Sequence, residues 1–452
     1  MIKISGTRFL IVGLGETGFD AAIALKKRGA EVRVTEIKEN AAITEKKRSL
    51  EDYGISVETG KHSIDLVEWA DVVIPSPGVP LDALPVVWAK EKNTEILSEI
   101  EVAYHLSPSK KIIAITGTNG KTTTVSFTDL VLEKAKISHI TCGNIGNSFI
   151  GEIDKIDADT WIILEVSSFQ LEYIKNFRAV VGVILNIADD HLDYYSNLDQ
   201  YVKAKEKLFL NSADNDFAIL NFENIWCKKI GEKLRCQKIF FSGKNVIDGI
   251  CVKDNFVSLG TKKFFSIEEF QKSRLIGIHN LENLMAVTGI IEAINIPTDS
   301  ISKALVDFVP HSHRLEKIAT INGITFIDDS KATNVDAVCR ALESFPRSNN
   351  IFLILGGKDK GISFEPLKSL LPGRVKTIFL IGEASERIKK ELDSVSLEMI
   401  EAENFDSIVK IAISKGKPGD MVLLSPGCSS FDMFSSYAER GDVFKAAVKS
   451  LL

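Results

Sequence analysis

The run Ile112-Ile113-Ala114-Ile115-Thr116-Gly117-Thr118-Asn119-Gly120-Lys121-Thr122-Thr123 puts a glycine-broken loop and a lysine behind an apolar stretch and ahead of a helical one. Backbone N–H groups freed by the glycines can cradle phosphate oxygens. Lys121 can neutralise β- and γ-phosphates, and the Thr122 hydroxyl can ligate Mg²⁺ at the helix N-terminus. The usual spacing would place a glycine at Ile115, so this is a shortened form of the cradle. A metal there needs a carboxylate, and Glu165 ends the next apolar stretch, Trp161 to Leu164. The same position suits a solvated strand-end acid, and spacing alone does not choose. His191 stands among Asp189, Asp190 and Asp193 behind another apolar stretch. Such a cluster invites metal, against the ordinary role of a lone histidine as a hydrogen-bonding residue.

A second phosphate-type turn opens the chain. Gly13-Leu14-Gly15-Glu16-Thr17-Gly18 follows an apolar stretch, with Glu36 ending the next one, which satisfies the dinucleotide fingerprint. The same turn holds any pyrophosphate, so NAD is not singled out, and the two turns together predict one ligand for each of the first two domains. In the last third, Asp328 to Asn334, Gly356 to Gly361 and Ser425 to Ser430 each follow an apolar stretch. Their lysines and hydroxyls, at the binding edge of an open α/β sheet, suit a small dianion, although any one of them could be a simple turn.

The elements that must carry these loops are short Ile- and Val-rich runs separated by helical stretches. They are Phe9 to Val12, Val32 to Thr35, Asp71 to Ile74, Ile112 to Thr116, Trp161 to Leu164, Val180 to Leu185 and Phe217 to Leu220. Ile324 to Ile327, Ile351 to Leu355, Thr377 to Ile381 and Met421 to Leu424 continue the series. This alternation predicts an α/β protein with largely parallel sheets. Polar or proline-marked joints at Ser107 to Lys111 and Phe308 to His313 divide the chain into domains of roughly 100, 200 and 140 residues. Phe240 to Phe265 reads as a β-rich excursion of the middle one.

Composition narrows the partners. The 452 residues carry 55 Lys and Arg against 61 Asp and Glu, a net charge of −6, so no excess of positive charge favours nucleic acid or an anionic membrane surface. No apolar run approaches the roughly 18 residues that span a bilayer. The six cysteines form no CxxC pair and no zinc spacing, and read as reduced thiols in the cytoplasm.

Taken in chain order, the motifs already quoted resemble the Mur ligases over essentially the whole length. They are joined by Ser76-Pro77-Gly78, Gly143-Asn144-Ile145-Gly146, Glu165-Val166-Ser167-Ser168-Phe169-Gln170-Leu171, Tyr201 to Lys207, His279-Asn280-Leu281-Glu282-Asn283, His313-Arg314 and Ser425 to Phe434. The resemblance implies a Rossmann-like UDP-binding domain over 1–100. A central P-loop ATP-binding domain with a mostly parallel sheet would follow over 101–309, and a Rossmann-like amino-acid-binding domain over 310–452. It implies ATP-dependent addition of D-glutamate to UDP-N-acetylmuramoyl-L-alanine through an acyl phosphate in peptidoglycan synthesis. Its partners would be small molecules alone, with no nucleic acid and no membrane, and the chain would act as a monomer.

By the same resemblance, Gly15, Thr17, Glu36, Lys38 and Ser76 hold the UDP substrate, with Asn144 and Ser167 toward its muramoyl end. Gly117, Thr118, Asn119, Gly120, Lys121, Thr122 and Thr123 bind the phosphates of ATP, and Asn280 and Asn283 lie near adenine. His313, Arg314 and Asp329 help close the last domain over ATP. Lys331, Thr333, Lys360, Ser430 and Tyr437 hold D-glutamate. Two Mg²⁺ ions are implied, with Thr122, Glu165, His191 and a carbamylated Lys205 as the metal-site residues. The flanking Lys203 and Lys207 make a charged helix face the plain alternative for Lys205. The branch that adds D-glutamate is chosen because the chain lacks an Asp-Asn-Pro-Arg signature and reads GTNGK where alanine-adding members have GTHGK. Tyr194 replaces a common arginine and Tyr437 a common phenylalanine. The alternatives are a superfamily ligase for another amino acid, such as a folylpolyglutamate synthase, a nicotinamide oxidoreductase, and a regulatory P-loop switch.

Overall fold

The computed structural model describes residues 3–190, 194–195 and 197–451. The chain forms two compact units, one containing the residues up to Ile187 with Tyr194–Phe265 and Leu284–Ala304, the other containing Ser266–Asn283 and everything from Leu305 onward.

The first unit contains two sheets. Strands β1 (Arg8–Val12), β2 (Glu31–Glu36), β3 (Ser56–Thr59), β4 (Val72–Pro75) and β5 (Glu95–Ile96) are arranged β3-β2-β1-β4-β5. All pairs are parallel. Phe9, Leu10, Ile11 and Val12 are buried on both faces of β1, which is why the run is continuously apolar. Strand order reverses between β1 and β4, so the turns after them open a crevice at the carboxyl edge.

The second sheet adds β6 (Ile112–Thr116), β7 (His139–Gly143), β8 (Trp161–Glu165), β9 (Val181–Ile184), β10 (Phe217–Asn221), β11 (Gln237–Ser242), β12 (Ile250–Lys253), β13 (Phe256–Leu259) and β14 (Lys262–Ser266). Their order is β14-β13-β12-β11-β10-β9-β6-β8-β7. It is parallel from β12 to β7 and turns antiparallel between β12 and β13. With β6 flanked by β8 and β9, the loops leaving these three strands meet.

One apolar core runs through both sheets, from Phe9, Ile11 and Leu25 to Phe149, Ile150 and Ile153. Polar bonds reinforce it: Ser148 Oγ donates to Asp20 Oδ2 at 2.7 Å, and Ile150 N donates to Glu99 Oε1 at 2.6 Å. Within the segment Ser107 to Lys111, buried Ser109 donates its hydroxyl to Thr160 O at 2.7 Å.

The second unit carries β15 (Glu316–Ile321), β16 (Ile324–Asp328), β17 (Ile351–Gly356), β18 (Val375–Ile381), β19 (Glu398–Glu401) and β20 (Met421–Leu424), arranged β15-β16-β20-β17-β18-β19. Only the β15–β16 pair is antiparallel, a hairpin turning on Asn322 and Gly323, both at positive φ. Strands β16, β20 and β17 are neighbours, so the three loops singled out in the last third leave one edge side by side.

Candidate active site

The phosphate loop leaves β6 at Gly117 and enters helix Lys121–Lys134, with Gly120 as N-cap at φ +88, a conformation that glycine supplies without strain. The loop is tied down by Asn186, just beyond β9. Asn186 Oδ1 accepts from Asn119 N at 2.8 Å, its Nδ2 donates to Asn119 O at 3.0 Å, and its carbonyl accepts from Thr118 N at 3.0 Å. Lys121 Nζ donates to Gly117 O and Thr118 O at 2.7 and 2.9 Å, closing over its own loop. Thr122 sits in the first turn of the helix beside buried Thr123.

Glu165 ends β8 next to this loop and is 2% exposed. Asn144 donates to it twice, Nδ2 to Oε1 at 3.0 Å and its backbone N to the Glu165 carbonyl at 2.9 Å. The second carboxylate oxygen, Oε2, is buried without a hydrogen-bond partner. That orphaned acceptor beside a phosphate loop fits a hard cation. Ser167, two residues on, caps the short helix Ser168–Leu171 in a reciprocal capping box with Gln170.

Lys205 lies on helix Leu198–Glu206 and is 1% exposed. Its Nζ donates to Thr116 Oγ1 and Gly117 O, both at 3.2 Å, and lies 4.6 Å from the Tyr201 ring centre. Lys203, by contrast, is exposed, and Lys207 pairs with Glu172 at 2.9 Å. Burial therefore separates the middle lysine from a charged helix face. His191 lies outside the described residues. Tyr194 packs its ring 4.3 Å from that of Phe169.

At the crevice of the first sheet, a cavity of about 570 Å³ is lined by Gly13, Gly15, Glu36, Lys38, His62 and Ser76, among others. Glu36 is 8% exposed, and its two oxygens accept from Leu14 N and Lys38 N, both at 2.8 Å. Ser76 Oγ donates to Gly13 O at 2.9 Å. A Cβ on Gly18 would lie 2.2 Å from Gly13 O, so the third glycine of the fingerprint allows the helix to pack against the turn. Thr17 is partly buried in the first turn of that helix, Glu16–Lys27. His62, not anticipated from sequence, faces Thr35 Oγ1 through Nδ1 at 2.7 Å, and burial lowers its pKa.

In the second unit, buried His313 pairs with Asp328 at 2.7 Å. Asp329 accepts from Ser425 Oγ at 2.8 Å and Leu315 N at 3.3 Å, and burial pushes its pKa up to about 7. Arg314, partly buried, opposes that shift. Glu316 and Asp328 could join His313 around a metal, but Lys445 Nζ already stands 2.8 Å from Glu316 and 3.7 Å from Asp328.

Lys331 Nζ lies 3.8 Å from the Tyr437 ring centre, Ser430 is buried, Thr333 is partly buried and Lys360 is exposed. Asn280 and Asn283, also in this unit, are buried one helical turn apart and linked at 3.3 Å. Arg440 was not anticipated from sequence, yet it joins the loops after β16 and β20 from within helix Tyr437–Lys449. All six cysteines are free thiols, and no helix among the described residues is long and apolar enough to cross a membrane.

The known proteins this chain is similar to follow the three sheets. The pattern described as Mur ligase MurD-like, N-terminal domain, matches 7–98; that of the Mur ligase middle domain matches 115–291; and that of the Mur ligase, glutamate ligase domain, matches 313–428. The UDP-N-acetylmuramoylalanine--D-glutamate ligase of Koribacter versatilis is 40% identical, over 100% of this chain and 99% of that protein. Its namesake from Caldicellulosiruptor bescii is 39% identical over 100% and 99%. Among solved structures, UDP-N-acetylmuramate-alanine ligase MurC from Thermotoga maritima superposes with a TM-score of 0.61 at 20% identity, covering 98% of this chain and 99% of that one. The MurF ligase of the same organism, in complex with ADP, gives 0.60 at 15% over 100% of both. These two likenesses establish the fold.

Proposed function

Because the chain belongs to the Mur ligase family, we propose that it joins D-glutamate to UDP-N-acetylmuramoyl-L-alanine at the expense of ATP, acting as a monomer in the cytoplasm. The observation that carries this reading is the phosphate loop at Gly117–Lys121 set beside buried Glu165, in a chain 40% identical over its whole length to a D-glutamate-adding ligase. The domains are taken as 1–100 for the UDP substrate, 101–309 for ATP and 310–452 for the amino acid.

A carboxylate is inert toward an amine at neutral pH. The alanyl carboxylate of the UDP substrate therefore attacks the γ-phosphorus of ATP, giving an acyl phosphate and ADP. The deprotonated amine of D-glutamate then attacks the acyl carbon, and phosphate leaves as the amide forms. Lys121 leaves the carbonyls of its own loop to meet the γ-phosphoryl oxygens, and Asn186 keeps the loop amides aimed at the phosphates. Thr122, Glu165 and His191 are the residues that would hold magnesium, two ions in all, and bound magnesium spreads the charge of the transferring group. Lys205 is the lysine assigned to carbamylation, in which its neutral amine adds to CO₂ with loss of a proton. Lys38, Glu36, Gly15, Thr17 and Ser76 take the UDP moiety, and Asn144 and Ser167 its muramoyl end. Asn280 and Asn283 are assigned to adenine, and His313, Arg314 and Asp329 to closure over ATP. Lys331, Thr333, Lys360, Ser430 and Tyr437 meet the two carboxylates of D-glutamate.

The test is phosphate release with Mg·ATP and UDP-N-acetylmuramoyl-L-alanine, comparing D-glutamate with L-glutamate, L-alanine, L-lysine and meso-diaminopimelate. Release dependent on D-glutamate supports the reading. Release with a different amino acid overturns the assignment of the C-terminal loops, and release without any amino acid favours a nucleotide switch.

A further inference from the structure

Arg440 is 2% exposed, with its guanidinium at the meeting point of the sheet-edge loops in the second unit. Its Nε donates to Ser330 Oγ at 2.9 Å, and Nη2 donates to Ser330 O at 2.7 Å. Nη1 is shared between Cys428 O at 3.0 Å and Ser429 O at 3.2 Å. Every one of these acceptors is neutral. Burial disfavours the charged form, and the carboxylates of Asp432 and Asp328 favour it from a distance without bonding to it, so the guanidinium spends its hydrogen bonds on loop backbone and a serine hydroxyl. Burial lowers its pKa only to about 10, so it stays charged at neutral pH.

What the guanidinium does is set the direction of backbone groups. In a trans peptide the N–H of one residue points opposite to the carbonyl of the residue before it. With the carbonyls of Cys428 and Ser429 turned in toward Arg440, the amides of Ser429 and Ser430 point away from it. The loop after β17 is registered on the same structure. Lys358 N donates to Ser429 O at 2.9 Å, and a Cβ on Gly357 would fall 2.4 Å from that oxygen and 3.0 Å from Arg440 Nη1. Ser330 Oγ in turn donates a hydrogen bond to Tyr437 O at 2.7 Å, which fixes the start of the helix bearing Arg440. One side chain thus registers the loops that carry Lys331, Lys360 and Ser430 on the helix that begins at Tyr437.

We propose that Arg440 is the positioning residue for the amino-acid substrate, holding these loops so that their amides, hydroxyls and lysines converge on the carboxylates of D-glutamate. The inference rests on the functional reading above and adds a residue to it. A planar fork is required, since a lysine ammonium cannot reach Ser330 Oγ, Ser330 O and the two carbonyls at once.

The experiment compares wild type, Arg440→Lys and Arg440→Met by steady-state phosphate release, with nucleotide titration and thermal melting on the same preparations. Arg440→Lys is expected to raise KM for D-glutamate at least tenfold while KM for ATP and nucleotide affinity change less than twofold. Arg440→Met is expected to raise KM for D-glutamate further. Equal rises in both KM values, or none, overturn the proposal. Loss of folded protein in Arg440→Lys overturns it too, because the residue would then serve folding rather than positioning. If Arg440→Met alone fails to fold, the lysine variant decides. Absence of D-glutamate turnover in the wild type would instead refute the functional reading on which the proposal rests.

Discussion

Asn186 gives the most direct handle on the phosphate loop. Replacing it with alanine removes two side-chain hydrogen bonds to Asn119, at 2.8 and 3.0 Å, and leaves the backbone bond from Thr118 in place. Each bond is worth about 0.5–1.5 kcal/mol net, so the ordered loop loses ~1–3 kcal/mol relative to a disordered one. Bound ATP must restore that order, so affinity for ATP should fall by about 5- to 150-fold at ~1.4 kcal/mol per factor of ten. Asn186→Asp keeps the acceptor for Asn119 N but loses the donor and sets a negative charge against incoming phosphates, so it should be worse than alanine. The assay is nucleotide titration with steady-state KM for ATP and D-glutamate on both variants. An Asn186→Ala protein that is folded and binds ATP like wild type would refute the argument, as would an aspartate variant that binds better than the alanine one.

Other expectations follow from the same geometry. Lys205→Ala should abolish ligation, and added short carboxylates should recover part of the activity by taking the place of a carbamate; a folded variant that no carboxylate rescues would count against carbamylation. Lys360→Ala, at an exposed position on the loop after β17, should raise KM for D-glutamate far more than KM for ATP, and equal effects on both would mean the amino-acid site is misassigned. Glu99 is 1% exposed, and burial pushes its pKa up from 4.5 to about 7. In that window the folded state holds a proton that the unfolded chain has released, so the contribution of Glu99 to stability falls as pH rises from about 4.5 to about 7, by up to ~3 kcal/mol. Glu99→Gln should therefore gain stability relative to wild type between pH 5 and pH 8 in denaturant melts, and an identical difference at both pH values would contradict the assignment.

What the sequence revealed and what it hid divide along physical lines. Central strands such as β1, β6, β8 and β17 are buried on both faces and stand out as unbroken apolar runs. The strands that went unread were β3, β5, β7, β15 and β19, and every one of them is an edge or lies at the end of its sheet. Their sequences, such as Ser56-Val57-Glu58-Thr59 and Glu398-Met399-Ile400-Glu401, carry polar residues because one side meets solvent. The phosphate loop was legible because its glycines and lysine are contiguous. Asn186 and Arg440 were not, since each acts on a loop that belongs to another strand, 67 residues away for Asn119 and 110 for Ser330. Lys205 is told from Lys203 and Lys207 in the sequence only through resemblance, and in the structure it differs from them in being buried.

The central claim is that the carboxylate is activated by phosphorylation, and isotope transfer tests it most directly. UDP-N-acetylmuramoyl-L-alanine carrying ¹⁸O in both oxygens of its alanyl carboxylate is turned over with Mg·ATP and D-glutamate, and the released phosphate is analysed by mass spectrometry. An acyl phosphate requires one ¹⁸O in each phosphate and one in the new amide. Phosphate free of ¹⁸O, with peptide formed, would contradict the account.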